Sequence, residues 1–446
     1  MTRLPAGRQA GNSQEETMKA TRILFTIALT AAILVPAAAG ARIYVPIDQP
    51  SDQKFPIAIA DLRGSDGAKI ADIIRNDMEL SGYFRVLDPD AFKAVARKEG
   101  VSIDTIKFSY WTAIEAGALV KGEIKSDGGK LNVTLRLFDP FLKQMLVGKQ
   151  YRADKKNMRQ IAHRFSNEIM LALTGVWGCF DTQIAYTAIT GKKSKAIYVM
   201  DMDGNGPYAV TKGKTISMGP VWSPGGDRLA FTSYMQNNPD VYISNLSGGA
   251  LKRISIGGSN ITPAFSPDGG TVAFSSSAAG AANLYTISAN GGSAHRLTVS
   301  NSIDLSPDYS PDGGSIVFAS ERAGGLHIFR MGAGGGGVSR LTFVGYQNDM
   351  PSWSPIGDKI AFAGRDMGTF DIFIMNTDGS NIQRLTIGTG SNEHPSFSPD
   401  GRMIAFSSSR EGGAAIYLMR ADGSNQTRVS KGNGMLPEWG PQKRPE

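Results

Sequence analysis

The chain has 446 residues, of which 41% are hydrophobic and 20% charged, and its formal net charge is +7. This composition is typical of a globular protein with two or more domains, and it excludes a disordered or membrane-spanning chain. Glycine is in excess, with 53 copies, of which 39 lie from Asp181 onward. They follow no triple-helix period and are separated by aromatic and β-branched residues, which excludes collagen and favours a turn-rich β architecture.

The remaining bulk properties exclude several kinds of site. The basic residues form no dense block, so the charge alone does not predict a nucleic-acid partner. Cys179 is the single cysteine and cannot form an internal disulfide bond. The four histidines are scattered without the spacing of metal ligands, so no metal site is predicted from them.

The start of the chain has the pattern of a secretory signal peptide. Lys19 and Arg22 form a positive segment, residues 23–35 form an apolar run of 13 residues, and Ala39-Gly40-Ala41 is a typical cleavage site. The apolar run is shorter than the roughly 20 residues that span a bilayer. We therefore expect residues 1–41 to be removed and the mature chain to act outside the cytoplasm; a retained membrane anchor is the alternative.

Residues 42–175 are predicted to form a small α/β domain. Short strands are indicated near RIYVPI and FPIAIADL, and the apolar spacing of residues 68–80 predicts a helix that stops at Gly82. Residues 118–139 are typical of a hairpin that turns at Asp127-Gly128-Gly129, and residues 155–173 predict a last helix. No catalytic motif lies in this domain, and residues 176–183 are interpreted as a linker.

The rest of the chain repeats itself. Five copies open with proline, one variable residue, an aromatic residue, Ser and Pro, and a short sixth copy, PEWGP, ends the series. The leading prolines are spaced by 42 to 44 residues. A period of this size with four short strands in each unit predicts a β-propeller. The leading prolines are Pro220, Pro263, Pro307, Pro351, Pro395 and Pro437.

The two incomplete copies indicate how the ring closes. Residues 184–211 match the later strands of a repeat but lack its opening, whereas PEWGP at 437–441 has only the opening. Each fragment supplies what the other lacks, and pairing them would remove two exposed strand edges. The sequence therefore predicts a six-bladed β-propeller over residues 184–446, closed by both ends of the domain.

Two sequence patterns resemble known functional motifs, a calcium-binding loop and a peptidase nucleophile elbow, but neither motif is complete. Asp201-Met202-Asp203-Gly204-Asn205-Gly206 matches the first half of a calcium loop, but Lys212 stands where a bidentate glutamate is needed, so a hairpin turn is favoured. The G-x-S-x-G elbow of propeller-bearing peptidases does not occur in the sequence. We therefore predict no catalytic residue, cofactor or metal, and keep a propeller hydrolase or lactonase, or a glycan-binding module, as the alternative function.

Polar residues recur just before each leading proline, which predicts that they surround one mouth of the central channel. Turn capping is the simpler explanation for any single one of them. Their variety within otherwise regular repeats favours a binding rim. The candidate contacts are Asn260, Thr262, Asp304, Asn348, Asp349, Asn392, Glu393 and His394.

The whole mature chain resembles the TolB family of the Tol–Pal envelope system. The segments that resemble it are LSGYFRVLDP at 80–89, LTGVWGCFDTQIAY at 173–186, and the six repeats behind an α/β domain. The resemblance implies an α/β N-terminal domain followed by a six-bladed β-propeller. It also implies a non-enzymatic, monomeric adaptor in the periplasm that supports outer-membrane integrity and invagination at cell division.

The resemblance further implies two partners. The propeller mouth would bind the peptidoglycan-associated lipoprotein Pal, with the eight rim residues as candidate contacts. The N-terminal segment would bind TolA, and further outer-membrane or peptidoglycan-associated proteins are possible partners. The candidate TolA contacts are Arg42, Ile43, Tyr44, Val45 and Pro46.

Overall fold

The structure is a computed structural model that describes residues 54–212, 214–365, 368–388 and 390–442. The expected signal peptide at 1–41 and the candidate TolA segment at 42–46 lie outside these residues. Among the described residues, no helix has both the length and the apolar character needed to cross a membrane.

The first part of the described chain is an α/β region built on one five-stranded sheet. The strand order is β2-β1-β3-β4-β5, in which β1 is parallel to both neighbours and the remaining pairs are antiparallel. The elements are β1 (Phe55–Ile59), α1 (Gly67–Ser81), β2 (Phe84–Val86), a 3-10 turn (Pro89–Ala91), α2 (Lys93–Lys98), a second 3-10 turn (Ile103–Thr105), α3 (Phe108–Ala113), β3 (Ala118–Asp127), β4 (Lys130–Asp139), β5 (Gln144–Asp154), a third 3-10 turn (Lys155–Asn157) and α4 (Met158–Thr174).

Helices cover both faces of this sheet. The apolar faces of α1 and α4 pack with β1, β3 and β4 in one cluster, in which Ile74 and Phe165 are fully buried. The short helices α2 and α3 place Phe92 and Trp111 in a second cluster with Leu119 and Phe138. The apolar residues at helical spacing in 68–80 and 155–173 thus lie on the buried faces of α1 and α4. The α/β class predicted from the sequence is confirmed.

The remaining strands form six four-stranded antiparallel sheets, so the predicted six-bladed propeller is also confirmed. Blade 1 is β9 (Ser217–Trp222), β10 (Arg228–Ser233), β11 (Asp240–Asn245) and β12 (Lys252–Ile254); blade 2 is β13 (Asn260–Phe265), β14 (Thr271–Ser276), β15 (Asn283–Ser288) and β16 (His295–Arg296); blade 3 is β17 (Asp304–Tyr309), β18 (Ser315–Ser320), β19 (His327–Gly332) and β20 (Ser339–Arg340). Blade 4 is β21 (Gln347–Trp353), β22 (Lys359–Arg365), β23 (Asp371–Asn376) and β24 (Gln383–Arg384); blade 5 is β25 (Asn392–Phe397), β26 (Met403–Ser408), β27 (Ala415–Arg420) and β28 (Thr427–Arg428); the closing blade is β6 (Gln183–Gly191), β7 (Ser194–Asp201), β8 (Tyr208–Ala209) and β29 (Gly434–Trp439).

The repeated residues explain why each unit folds into a blade. In blades 1 to 4 the phenylalanine of the second strand stacks on an aromatic residue of the third strand, with ring centroids 6.2 Å apart for Phe231 and Tyr242 and 5.4 Å apart for Phe362 and Phe373. The corresponding rings of blade 5 and of the closing blade are tilted. These strands are buried on both faces, which is why their sequences are continuously apolar. The Ser-Pro-Asp-Gly turns of blades 2, 3 and 5 are held together by the same serine–aspartate hydrogen bond. In blade 2 the Ser266 hydroxyl donates to Asp268 at 2.5 Å and accepts the Thr271 N–H at 3.0 Å.

The ring is closed by strands from opposite ends of the repeat region. Strand β29 pairs with β6, so that Gly434 lies opposite Ala188 and Trp439 opposite Ile184. The Trp439 indole N–H donates to the Thr182 hydroxyl at 2.8 Å, and its backbone N–H donates to Ser396 Oγ in blade 5 at 2.9 Å. Strand β29 thereby bonds to the first strand of the propeller and to the blade before it.

The α/β region packs against one face of the ring, the face that carries the Ser-Pro-Asp-Gly turns. The Asn425 side-chain amide donates to the carbonyls of Glu79 and Leu80 at the end of α1, both at 3.0 Å. The Arg420 guanidinium lies 4.5 Å from the centroid of the Tyr83 ring. The opposite face carries the segments before the leading prolines and the loops between second and third strands. We call it the mouth face, and no described residue of the α/β region covers it.

Candidate partner-binding mouth of the propeller

The innermost strand of every blade is irregular just before its leading proline. In all six, the register with the neighbouring strand shifts at this point, as in a β-bulge. The residue before the proline has a positive φ, which costs a side-chain-bearing residue about 1–2 kcal/mol. These residues are Gly219 (62°), Thr262 (49°), Ser306 (52°), Met350 (55°), His394 (55°) and Leu436 (55°).

These six residues line one cavity of about 430 Å³ along the channel. The wall also includes residues on either side of each leading proline, among them Asp349, Asp308 and Glu438. A second cavity of about 260 Å³ adjoins it and shares Met350 and His394 with it. The bulge therefore places one residue of each blade on the wall of the channel.

The structure divides the eight predicted rim residues into two groups. Four of them are buried, are hydrogen-bonded inside the blades and line neither cavity, so a partner on the surface could not contact their side chains without displacing them. Asp304 accepts two hydrogen bonds from Arg322, at 2.8 and 2.9 Å. Asn260 donates to Asp240 at 2.8 Å and Asn392 to Asp371 at 3.1 Å. These four are Asn260, Asp304, Asn348 and Asn392; Asp349 is also buried, at 8% exposure, but it lines the larger cavity.

The other four lie along the channel. Thr262, Asp349 and His394 line the larger cavity, and Glu393 lines the adjoining one. Asp349 Oδ1 accepts the Met350 N–H at 2.6 Å and the Ser306 hydroxyl at 3.1 Å. The sequence pattern identified both groups as polar, but it could not distinguish the side chains that fasten the blades from those that face the channel.

Two acidic side chains deeper in the channel were missed by the sequence analysis. Asp308 and Glu438 follow their leading prolines directly, and Asp308 Oδ2 accepts the Trp353 N–H at 2.7 Å. A signal was present, because the other four blades carry a small or apolar residue at this position. Those residues are Val221, Ala264, Ser352 and Ser396.

Burial shifts the pKa values of the channel residues away from their usual range. It raises the pKa of Asp308 to about 7, and burial together with the charge of Asp308 raises the pKa of Glu438 to about 8. The pKa of Asp349 is also raised, chiefly by burial. Burial and the nearby Lys195 charge lower the pKa of His394 to about 3, so this imidazole is neutral at pH 7. The channel therefore carries less charge at neutral pH than its residue types indicate.

This arrangement is suited to recognition. The His394 Nδ1 atom is buried and has no hydrogen-bond partner among the described residues, and no serine hydroxyl is bonded to it there. Ser306 donates to a carboxylate instead of to an imidazole. The cavity thus offers apolar walls and a few fixed polar groups, an arrangement typical of a ligand-binding site.

A second polar cluster joins the α/β region to the closing blade. His163 in α4 contacts Asp77 in α1 through Nδ1 at 2.9 Å, and Arg159 Nη2 lies 3.1 Å from His163 Nε2. Arg159 also donates to Asp203 at 2.5 Å and to Asp201 at 3.2 Å. Both aspartates belong to the hairpin that resembled a calcium loop, so their carboxylates bind an arginine of the other region.

Electrostatics within this cluster favour the ion pair of Arg159 with Asp203, whereas burial raises the pKa of Asp77. The charge and hydrogen bond of Asp77 outweigh burial and raise the pKa of His163, and Arg159 lowers the pKa of Asp203 against the effect of burial. Ligand atoms of Asp77, His163 and Asp203 lie within 4.8 Å of one another. The Arg159 guanidinium already supplies a cation to this group. Sequence reasoning missed the cluster because its members lie far apart along the chain.

Comparison with known proteins identifies the family. Residues 170–443 match the family model described as the TolB beta propeller domain, which covers more than half of the chain. The chain belongs to the TolB family. Residues 43–146 also match the model of the TolB amino-terminal domain.

Individual TolB proteins are similar over different lengths. The crystal structure of TolB from Acinetobacter baumannii has a TM-score of 0.79 and 30% identity, and the match covers 90% of this chain and 100% of that one. The Tol-Pal system protein TolB of Desulfosudis oleivorans is 36% identical over 235 residues, 51% of this chain and 53% of that protein. The TolB protein of Paramagnetospirillum magneticum is 36% identical over 255 residues, 54% and 56% of the two chains. The chain spans about half the length of the curated relatives it matches.

Proposed function

We propose that the chain is a non-enzymatic periplasmic adaptor of the Tol–Pal system. Its propeller mouth binds the lipoprotein Pal, and its N-terminal segment Arg42–Pro46 binds TolA. Through these contacts it supports outer-membrane integrity and invagination at cell division. Membership of the TolB family supports this proposal, as does the name of its relatives, which are Tol-Pal system proteins.

The ring of left-handed residues at the mouth carries the proposal for Pal. Backbone strain of this kind persists only where the surrounding structure enforces it, and it is concentrated at ligand-binding sites. Five of the six residues bear side chains, and the six line one cavity on the mouth face. A partner segment that enters the channel meets these side chains.

The eight rim residues then have two roles. Thr262, Asp349, Glu393 and His394 contact the partner. Asn260, Asp304, Asn348 and Asn392 hold the loops that present these contacts, so their replacement would alter both stability and binding.

The test is calorimetric titration of the full-length mature protein with the soluble domain of Pal. The variant Asp349→Ala/Glu393→Ala/His394→Ala should bind at least about tenfold more weakly, because it loses three contacts near the centre of the interface. The matched control is Asp90→Ala/Asp104→Ala/His295→Ala, whose three residues are exposed and lie away from the channel wall. Equal affinity of the two triple variants would discard the mouth as the Pal site.

TolA binding has a separate test. Deletion of Arg42–Pro46 should abolish co-purification with the TolA domain while leaving Pal affinity unchanged. Retained TolA binding by this deletion variant would refute the assignment of the N-terminal segment and would leave the Pal site unaffected.

A further inference from the structure

Six lysines lie together on the mouth face at the closing blade. Three are in and beside the loop between β6 and β7, two are in the loop that leads to β9, and one is in the loop that leads to β29. Lys195 is partly buried and the other five are exposed. They are Lys192, Lys193, Lys195, Lys212, Lys214 and Lys431, and we call them the lysine sector.

Backbone hydrogen bonds hold these three loops side by side. The Lys195 N–H donates to the Thr215 carbonyl at 3.3 Å, and the Ile189 N–H donates to the Asn433 carbonyl at 3.2 Å. Lys195 Nζ also lies 3.5 Å from Met435 Sδ, beside the channel. The ion pairs between described residues include none of the six lysines. Their charges are therefore available to a partner.

The opposite side of the same face is largely apolar, although the loop between β18 and β19 carries Glu321 and Arg322. The loops that enter and leave blade 3, residues 298–303 and 342–346, contain no charged residue. Their large side chains are exposed to an unusual degree, reaching 85% for Val299, 74% for Tyr346 and 70% for Phe343. Blade 3 lies three blades from the closing blade in a ring of six, so it is diametrically opposite. We call Val299, Ile303, Phe343, Val344 and Tyr346 the apolar sector.

A ring with six similar blades presents a problem of orientation. Rotation of a docked partner by one blade would bring it over nearly the same backbone, because the bulge and the leading proline recur in every blade. Only differences between the loops can select one orientation. Opposed charged and apolar sectors provide the largest such difference, since a wrong rotation would leave charges or apolar surface unmatched.

We propose that these sectors orient the partner: an acidic patch on Pal docks on the lysine sector, and an apolar patch of Pal docks on the apolar sector. This inference rests on the proposed function and specifies the chemistry of the partner's surface. Complementary charge at the edge of an interface speeds association and excludes wrong arrangements. The exposed aromatic and aliphatic side chains of the other sector lose contact with water in the complex.

The channel between the sectors favours a protein over an anionic membrane. Asp349 in blade 4 and Glu393 in blade 5 lie on the cavity walls at the mouth, between the two sectors. A flat anionic surface that covered the lysines would also cover these carboxyl groups and would leave the concave cavity unfilled. A folded partner can place acidic residues over the lysines and a different chemistry over the channel.

The test compares two charge-reversed proteins in binding to the soluble Pal domain. Lys192→Glu/Lys193→Glu/Lys214→Glu reverses the charge of three of the six lysines in the lysine sector. Lys98→Glu/Lys130→Glu/Lys143→Glu makes the same change in net charge at exposed lysines of the α/β region. At low salt the first variant should bind about tenfold or more weakly, chiefly through slower association, and the control should not. The difference should shrink to about threefold or less near 1 M salt, where the Debye length is about 3 Å.

Two further measurements complete the test. A photo-crosslinker at Lys193 and, separately, one at Tyr346 should attach to two different Pal segments, one acidic and one apolar. Attachment of both probes to the same set of segments would show rotational averaging and overturn the inference. Equal Pal affinity of the two charge-reversed proteins would also overturn the inference. The same holds if the lysine-sector variant loses affinity only for vesicles rich in phosphatidylglycerol and binds Pal as well as the control does. Absence of Pal binding by the unaltered protein would refute the proposed function itself and the inference with it.

Discussion

Replacement of Trp439 in β29 tests how strongly the last strand closes the ring. The side chain is 5% exposed, and its indole donates to Thr182 in the segment before β6. A buried aromatic side chain removes about 150–250 Å² from water, worth about 4–6 kcal/mol at about 25 cal/mol per Å². Large-to-small core substitutions give a similar range of about 3–5 kcal/mol. We therefore expect Trp439→Ala to lower the free energy of unfolding by about 4 kcal/mol.

The hydrogen bond can be separated from the packing. Trp439→Phe keeps most of the aromatic volume but loses the hydrogen bond to Thr182. The lost hydrogen bond should lower the free energy of unfolding by about 1 kcal/mol, in addition to the loss caused by the smaller ring. The matched control is Trp353→Phe in blade 4, since Trp353 is 7% exposed and its indole nitrogen has no hydrogen-bond partner among the described residues. Urea unfolding followed by intrinsic fluorescence and circular dichroism provides the free energies, and Thr182→Val completes a double-mutant cycle.

Two results would refute this reasoning. Equal losses for Trp439→Phe and Trp353→Phe would show that the bond to Thr182 contributes nothing. A loss below about 1 kcal/mol for Trp439→Ala would show that β29 is not a structural part of the ring, because such a value is usual for surface positions.

Three other regions allow comparable tests. Glu438 has a pKa of about 8 in the folded chain, so it keeps a proton that the unfolded chain releases near the ordinary pKa of glutamate. The free energy of unfolding should therefore fall as pH rises from about 5 to 8, and Glu438→Gln should make this fall smaller in urea titrations. An equally steep fall in the variant would contradict the shifted pKa. Asp203→Ala removes a buried partner of Arg159 and should lower the free energy of unfolding by about 1–3 kcal/mol. Hydrogen exchange of the α4 amides should become faster. Unchanged exchange in α4 would argue against a role of Asp203 in joining the α/β region to the propeller. Gly67→Ala would bring a Cβ to 1.9 Å from the Leu62 carbonyl oxygen and should lower the melting temperature by several degrees, and an unaltered Tm would mean that the start of α1 can shift freely.

The propeller was predictable because the apolar segments of its repeats coincide with strands that are buried. A strand such as β18 is buried along its whole length, so apolar residues and turn residues alternate at a constant period along the chain. Strand β5 gave no such signal. It lies at the edge of the α/β sheet with no fully buried residue, and its sequence has neither alternation nor a continuous apolar run.

The site was predictable only as a location. The repeat period placed the segments before the prolines at one mouth, but a one-dimensional pattern does not tell which way each polar side chain points. Asn260 and Thr262 are two residues apart, yet one is buried in its blade and the other lines the channel. The lysine sector was missed for a related reason, since Lys431 becomes a neighbour of Lys193 and Lys214 only when the ring closes.

Pairing of β29 with β6 also fixes the order in which the propeller can be completed. The chain is synthesised from its N-terminus, so β6 is made among the first strands of the propeller and waits unpaired on one edge until the last residues emerge. An exposed strand edge favours aggregation and attack by proteases. A chain that terminates early would keep this edge exposed, and only a full-length product could bury it. Ring closure should therefore protect complete chains from aggregation and proteolysis.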